Sequence, residues 1–393
     1  MPSTDPRLAR QGPKNPLHLL DIDHVHYYVG NAKQAAIFYA QSFGFDLAQV
    51  RDLATKNRSE ASYLLTQGNI RLLLTTSLRP SSPIQKEVCR FGDGIKDIAF
   101  TVDDAHAAFE LAVSRGAKIA YAPITEQDDR GSLTRAGIHT YGRVVHSFVS
   151  RRGEYALGQL REGGPFAPGF RRAPHAAIND YNARHPVGLR YIDHCVGNVQ
   201  SGEMHTWADW YARILDFSLF RSFDDQDIST EFTALHSKVM ASSDKRIKMP
   251  INEPAHGRHK SQILEFLEWH DMTAGVQHLA LHTNNPVGTV AELRRRGVDF
   301  LSIPASYYEQ IWQRASEGAW ELRESPHEVQ DTGLLIDADE DGYLLQIFTL
   351  PLQDRPTFFF EIIGRRGSRS FGKGNFKALF QSIEREQARR GNL

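Results

Sequence analysis

The chain has 393 residues, too many for one ordinary domain at roughly 150 residues each, and 46 Lys+Arg against 47 Asp+Glu give a formal charge of −1. That balance argues against a nucleic-acid or polybasic membrane binder, which carries a basic excess. With 41% hydrophobic and 24% charged residues the composition is globular, two cysteines (Cys89, Cys195) cannot make a disulfide framework, and no apolar run reaches membrane-span length.

Along the chain, the first 15 residues or so are polar and Pro-rich and read as poorly ordered. They contain no apolar core of signal-peptide length, so the expectation is a soluble, cytoplasmic protein. Ile22-Asp23-His24-Val25 then opens a strand, Val29-Gly30-Asn31 follows, and AAIFYAQSFGF (35–45) reads as a helix. Next comes GIKDIAFTVDD (94–104), and a helical segment that ends at a glycine, HAAFELAVSRGAKI. A Gly/Pro-rich stretch over 163–188 has the punctuation of a connection.

Beyond it the same features recur in order. Ile192-Asp193-His194-Cys195 and Val196-Gly197-Asn198 are followed by the helical WADWYARILDF (207–217), by GVQHLALHTNN (275–285) and by VGTVAELRRRGVDF. The economical reading is a tandem duplication: a first module over 16–162, a linker over 163–188 and a second module over 189–393. Arg294-Arg295-Arg296 reads as the solvated end of a helix. Phe376, Leu379, Phe380 and Ile383 lie at i, i+3, i+4 and i+7, a C-terminal helix with one apolar face, stopped near Gly391.

Seventeen histidines make a metal site worth seeking. Glu361 sits mid-strand in TFFFEIIG between apolar neighbours, sharing a face with Phe359 and Ile363. A buried carboxylate must protonate, pair or bind a metal. His278 in GVQHLAL and His194 in YIDHCV stand in the same kind of surroundings. No HExxH or CxxC spacing occurs. Two imidazoles and one carboxylate on one side of an ion leave open positions, an arrangement suited to non-haem Fe(II) oxygenases.

The segments IDHCVGNV, MPINEPAHGRHKSQILEFL, GVQHLAL, DEDGYLLQIFTLPLQDRPTFFFEIIGR and SFGKGNFKALFQSIEREQ resemble the 4-hydroxyphenylpyruvate dioxygenase family, two-module members of the vicinal-oxygen-chelate superfamily. The resemblance spans most of residues 191–393, and the first half matches by plan and length. It implies an α+β fold of two tandem modules built from βαβββ repeats, each an open barrel-like sheet, with a C-terminal lid helix. It also implies His194, His278 and Glu361 as Fe(II) ligands. The implied substrate pocket holds Ser237, Asn252, Gln262, Gln346, Phe348, Phe371 and Phe376, with Asn252, Gln262 and Gln346 as the catalytic contacts. Aromatic walls suit a phenol ring, and carboxamides suit its hydroxyl.

The implied reaction converts 4-hydroxyphenylpyruvate and O2 to homogentisate and CO2 by oxidative decarboxylation, ring hydroxylation and side-chain migration, within tyrosine and phenylalanine catabolism. The alternative is 4-hydroxymandelate synthase, which takes the same substrate and oxidises the benzylic carbon; MPINEPA with Asn252 resembles the dioxygenase. A homo-oligomer, with a dimer favoured, is expected, and neither nucleic acid nor membrane is an expected partner. The first half departs from the pattern: Asp97 stands where the second has His278, and no clean equivalent of Glu361 is visible. Gly364 is a further departure, since relatives often carry a longer polar side chain there.

Overall fold

Strand and helix signals alternate in one repeated order, and the computed structural model, which describes residues 15–223, 235–255, 260–316 and 322–391, shows that order four times. The expected disorder of the first residues falls almost wholly outside the described ones.

The first half runs β1 (Asp21–Tyr28), α1 (Ala32–Phe43), β2 (Asp46–Arg51), β3 (Glu60–Gln67), β4 (Ile70–Ser77), α2 (Pro83–Phe91), β5 (Gly94–Thr101), α3 (Ala105–Ser114), β6 (Ile119–Asp128), β7 (Gly131–His139) and β8 (Val145–Gly153). Then follow α4 (Leu157–Arg161), β9 (Arg171–Arg172) and α5 (Ala176–Arg184). The second half repeats the plan with β10 (Leu189–Asn198), α6 (Met204–Leu215), β11 (Ser218–Phe223), β12 (Leu235–Ala241), β13 (Lys248–Pro254), α7 (Gln262–Trp269), β14 (Gly275–Thr283) and α8 (Pro286–Arg295). It closes with α9 (Ala305–Ser316), α10 (Pro326–Thr332), β15 (Leu335–Asp339), β16 (Gly342–Phe348), β17 (Phe359–Arg366) and α11 (Phe376–Arg389).

Each half builds one mixed sheet. The orders are β6-β7-β8-β5-β1-β4-β3-β2-β9 and β11-β12-β13-β10-β14-β17-β16-β15. Two βαβββ units therefore meet at a central antiparallel pair, β1 with β5 and β10 with β14. The stretch expected as a connection carries β9, paired with β2, and α5, whose Asn182 donates to Ala40 O and Phe45 O.

Local signals explain the helices. Asn31 caps α1 by accepting from the backbone of Gln34, and Gly44 ends it in the left-handed region at φ 72°. Asn198, its counterpart, is held at the end of β10 instead, and α6 starts later behind Glu203.

The two halves share one core because helices that pack on their own sheets also touch strands of the other half. From α1, Phe43 packs on Phe360 of β17, with ring centroids 5.0 Å apart, and Tyr27 of β1 meets Phe358 at 5.4 Å. Reciprocally, Tyr211 of α6 donates to or accepts from His146 Nε2 of β8 at 2.7 Å. This shared packing buries β17 on both faces: Phe360 and Ile362 turn toward the first half, while Phe359 and Glu361 turn into the second sheet's concavity.

One sequence expectation fails here. Arg296 is not solvated: its side chain is 4% exposed and binds Gln41 O, Asn182 Oδ1 and His185 O at 2.9, 2.8 and 2.6 Å. A helix-end cation lies at the seam between halves, where free carbonyls need donors. Gly364 also finds its reason: a Cβ there would lie 2.8 Å from the Pro286 ring at the start of α8.

Candidate metal centre

His194, His278 and Glu361 come from the three adjacent strands at the middle of the second sheet. The ladder sets His194 of β10 opposite Ala280 of β14, and Ala280 opposite Glu361 of β17. Strands two apart are separated by about 9.5 Å, so two long side chains converge only across something small. Ala280 is that residue. His278, one alternation along β14, reaches the same point from the side.

Their donor atoms all lie within 4.8 Å of one another. Glu361 Oε2 is 3.2 Å from His194 Nε2 and 3.5 Å from His278 Nε2. Each imidazole is held at its other nitrogen: His194 Nδ1 lies 2.8 Å from Asp193 Oδ1, and His278 Nδ1 lies 3.2 Å from Gln277 Oε1. Asp193 is gripped in turn by Arg365, with Nε–Oδ2 and Nη2–Oδ1 both 2.8 Å.

Burial would lift the Glu361 carboxyl, but the two histidines hold it down to about 2. Burial likewise opposes the charged form of His194, yet Glu361 and Asp193 outweigh it and raise the imidazole above its usual range. For His278 burial prevails and the shift is downward. Asp193, although buried, is kept far below the usual carboxylate range by Arg365 and Lys248. Converging donors of this kind, an anion between two imidazoles in a buried pocket, fit a divalent transition metal with positions left for ligands.

Above the triad lies a cavity. Ser237, Asn252, Gln262, Gln346, Phe348 and Phe371 all line it, and the ring of Phe371 stands 5.0 Å from that of His194. The side chain of Phe376 lies outside the described ones. The structure adds Gln277, Phe359, Leu379 and Phe380 to the lining, the last two from α11. Sequence reasoning passed over Gln277, although its place beside a candidate ligand was visible. The convergence of α11 on the cavity, implied by the resemblance as a lid helix, showed in the residues themselves only as an apolar face.

A profile of the Glyoxalase/Bleomycin resistance protein/Dioxygenase superfamily matches residues 21–134 and 191–347. Over 380 residues the chain is 45% identical to 4-hydroxyphenylpyruvate dioxygenase of Yarrowia lipolytica, covering 94% of this chain and 93% of that one. The chain belongs to the 4-hydroxyphenylpyruvate dioxygenase family. The dioxygenase of Tetrahymena thermophila is 44% identical over 381 residues, covering 95% of this chain and 92% of that one. Among solved structures, a mutant of 4-hydroxymandelate synthase from Streptomyces coelicolor superposes with a TM-score of 0.79 at 31% identity, covering 93% of this chain and 98% of that one.

Within this dioxygenase-family chain the first sheet shows what its own copy of the centre has become. His24 keeps its carboxylate, with Asp23 Oδ1 2.7 Å from Nδ1, and Arg151 grips Asp23 at 2.8 Å twice. Asp97 takes the place of His278. The position of Glu361 is held by Ser147, an equivalence hidden in the sequence and set by parallel pairing of β5 with β8. Ser147 donates through its hydroxyl and backbone N–H to Asp97, and burial raises the Asp97 carboxyl. Leu160, Phe166 and Phe170 pack into this concavity, with the Phe166 ring edge-on to His24 at 5.2 Å. Among the described residues, the second-sheet triad is the one group of three or more such side chains with metal-ligating geometry.

Proposed function

We propose that the chain is an Fe(II)-dependent dioxygenase that converts 4-hydroxyphenylpyruvate and O2 to homogentisate and CO2, with its second half catalytic and its first half structural. Likeness to dioxygenases at 45% identity across nearly the whole chain carries this reading, and the donor set of His194, His278 and Glu361 supports it. A ferrous ion held there supplies one-electron redox chemistry and open coordination positions for the 2-oxo acid and O2.

The remaining work belongs to the protein's own groups. Phe348, Phe359 and Phe371 offer flat apolar surfaces to the substrate ring, each against a ligand imidazole: Phe371 lies 5.0 Å from His194, Phe348 stands edge-on to His278 at 6.0 Å, and Phe359 lies 4.8 Å from His278, nearly parallel to it. Asn252, Gln262 and Gln346 present carboxamides that donate to or accept from the phenol hydroxyl once water is gone. From α11, Leu379 and Phe380 roof the cavity and keep water from the reacting centre. Family resemblance also leads to an expected homo-oligomer, a dimer first, and a cytoplasmic location is proposed with it. Among the described residues no helix is long and apolar enough to cross a membrane.

Product analysis tests the reading. The protein, reconstituted anaerobically with Fe(II) and given substrate, is exposed to O2 and its product identified by chromatography and mass spectrometry. Homogentisate is the expected result. 4-Hydroxymandelate would transfer the chain to the synthase reaction, and no oxygen uptake would overturn both.

A further inference from the structure

We propose that Asp193 and Arg365 are positioning residues that fix the His194 imidazole for metal ligation, an inference that rests on reading His194 as a ligand. Consecutive residues of a strand normally point to opposite faces. Asp193 reaches the ring of its neighbour because β10 slips register between Ile192 and His194 where it pairs with β14. The carboxylate then accepts from Nδ1–H at 2.8 Å. That bond sets the tautomer with the Nε2 lone pair facing Glu361 and His278, and stops ring rotation.

Asp193 is itself immobilised. Arg365 closes a two-toothed pair on it at 2.8 Å and 2.8 Å, and Lys248 Nζ lies 3.4 Å from its backbone carbonyl. Arg365 follows Glu361 by four residues on β17. One strand thus supplies both the ligand carboxylate and the clamp on the partner of another ligand. His278 has a weaker arrangement, a neutral carboxamide at 3.2 Å.

The first sheet repeats this cluster part for part. There is a register slip between Ile22 and His24, a bond from Asp23 to His24, a fork from Arg151, and Arg71 Nε donating to the Asp23 carbonyl at 2.5 Å. In that sheet Asp97 and Ser147 replace the other two ligands. The cluster is accordingly formed by the fold, without a ligand triad to require it, and a matched control is built into the same chain.

Asp193→Asn and Asp23→Asn in the full chain remove equivalent carboxylates, one beside the triad and one remote from it. Metal-free protein is titrated with Co(II) alone, read by visible absorption and by calorimetry, and thermal unfolding is followed in parallel. Both variants lower the unfolding midpoint, and only Asp193→Asn weakens Co(II) binding, by about 10–100-fold. Binding by Asp193→Asn as tight as in the parent overturns the proposal and leaves the cluster a purely structural device. If the Asn variants do not fold, Arg365→Lys against Arg151→Lys makes the same comparison with the same two outcomes. A parent chain that binds no Co(II) overturns the metal-centre reading itself, and the proposal with it.

Discussion

Ala280 governs how closely the donors gather, because His194 and Glu361 stand on either side of it in the ladder. Glu361→Ala removes the anion that both imidazoles face. The expected result is loss of bound metal and of turnover with the unfolding midpoint little changed; metal analysis and calorimetry check it. Strand alternation was enough to see three buried ligand types among apolar neighbours, and resemblance was needed to join them. Asp193 and Arg365 stayed hidden because a register slip leaves no mark in residue types. His146 gives a pH prediction. Burial depresses its imidazole to about 4, below the ordinary 6.5, so the unfolded chain binds the extra proton first as pH falls. Stability is full above about 6.5 and declines toward 4, by about 2 kcal/mol at pH 5 from this residue alone. Urea unfolding between pH 7.5 and 5 measures the slope, and it is shallower in His146→Leu.

At the scale of elements, α11 was legible from its period: of the expected face, Leu379 and Phe380 are buried and Ile383 half-buried, while buried Ser382, Glu384 and Gln387 show the helix covered on more sides than the spacing marks. Its fastening was not. Arg390, just past the helix, reaches Glu265 of α7 with both carboxylate oxygens at 2.7 and 2.9 Å, a pairing across 125 residues that no local pattern announces. Arg390→Ala loosens the roof of the cavity. Hydrogen exchange in α11 speeds up, the KM for the oxo acid rises, and exchange in β14 and β17 does not change. The second half's helix-rich insertion, α9 and α10, likewise carried no signal of where it would pack.

For the whole molecule, duplication was readable from the residues as two copies, while the βαβββ repeats within each copy came from the family resemblance and not from the residue pattern. Quarter repeats share geometry and almost no residue pattern, because each sits in a different place relative to the seam: Phe360 faces α1 where its counterpart His146 faces Tyr211. The same seam explains Arg296, which pairs with Glu292 of its own helix at 2.7 Å and reaches across to Gln41 O, Asn182 Oδ1 and His185 O. Arg296→Ala leaves carbonyl groups of the first half and the connecting stretch without their donor, and a loss of about 2–4 kcal/mol is expected in chemical denaturation, with the halves beginning to unfold as separate transitions.

The retained aspartate, histidine and arginine of the first curl have a consequence for protein engineering. Half the fittings of a second centre are already installed there, so exchanging Asp97 for histidine and Ser147 for glutamate is a short route to a two-site chain. A cavity lined by His24, Asp97 and Phe166 already offers space, and the ring a designer has to work around is Phe166, which leans edge-on against the waiting imidazole.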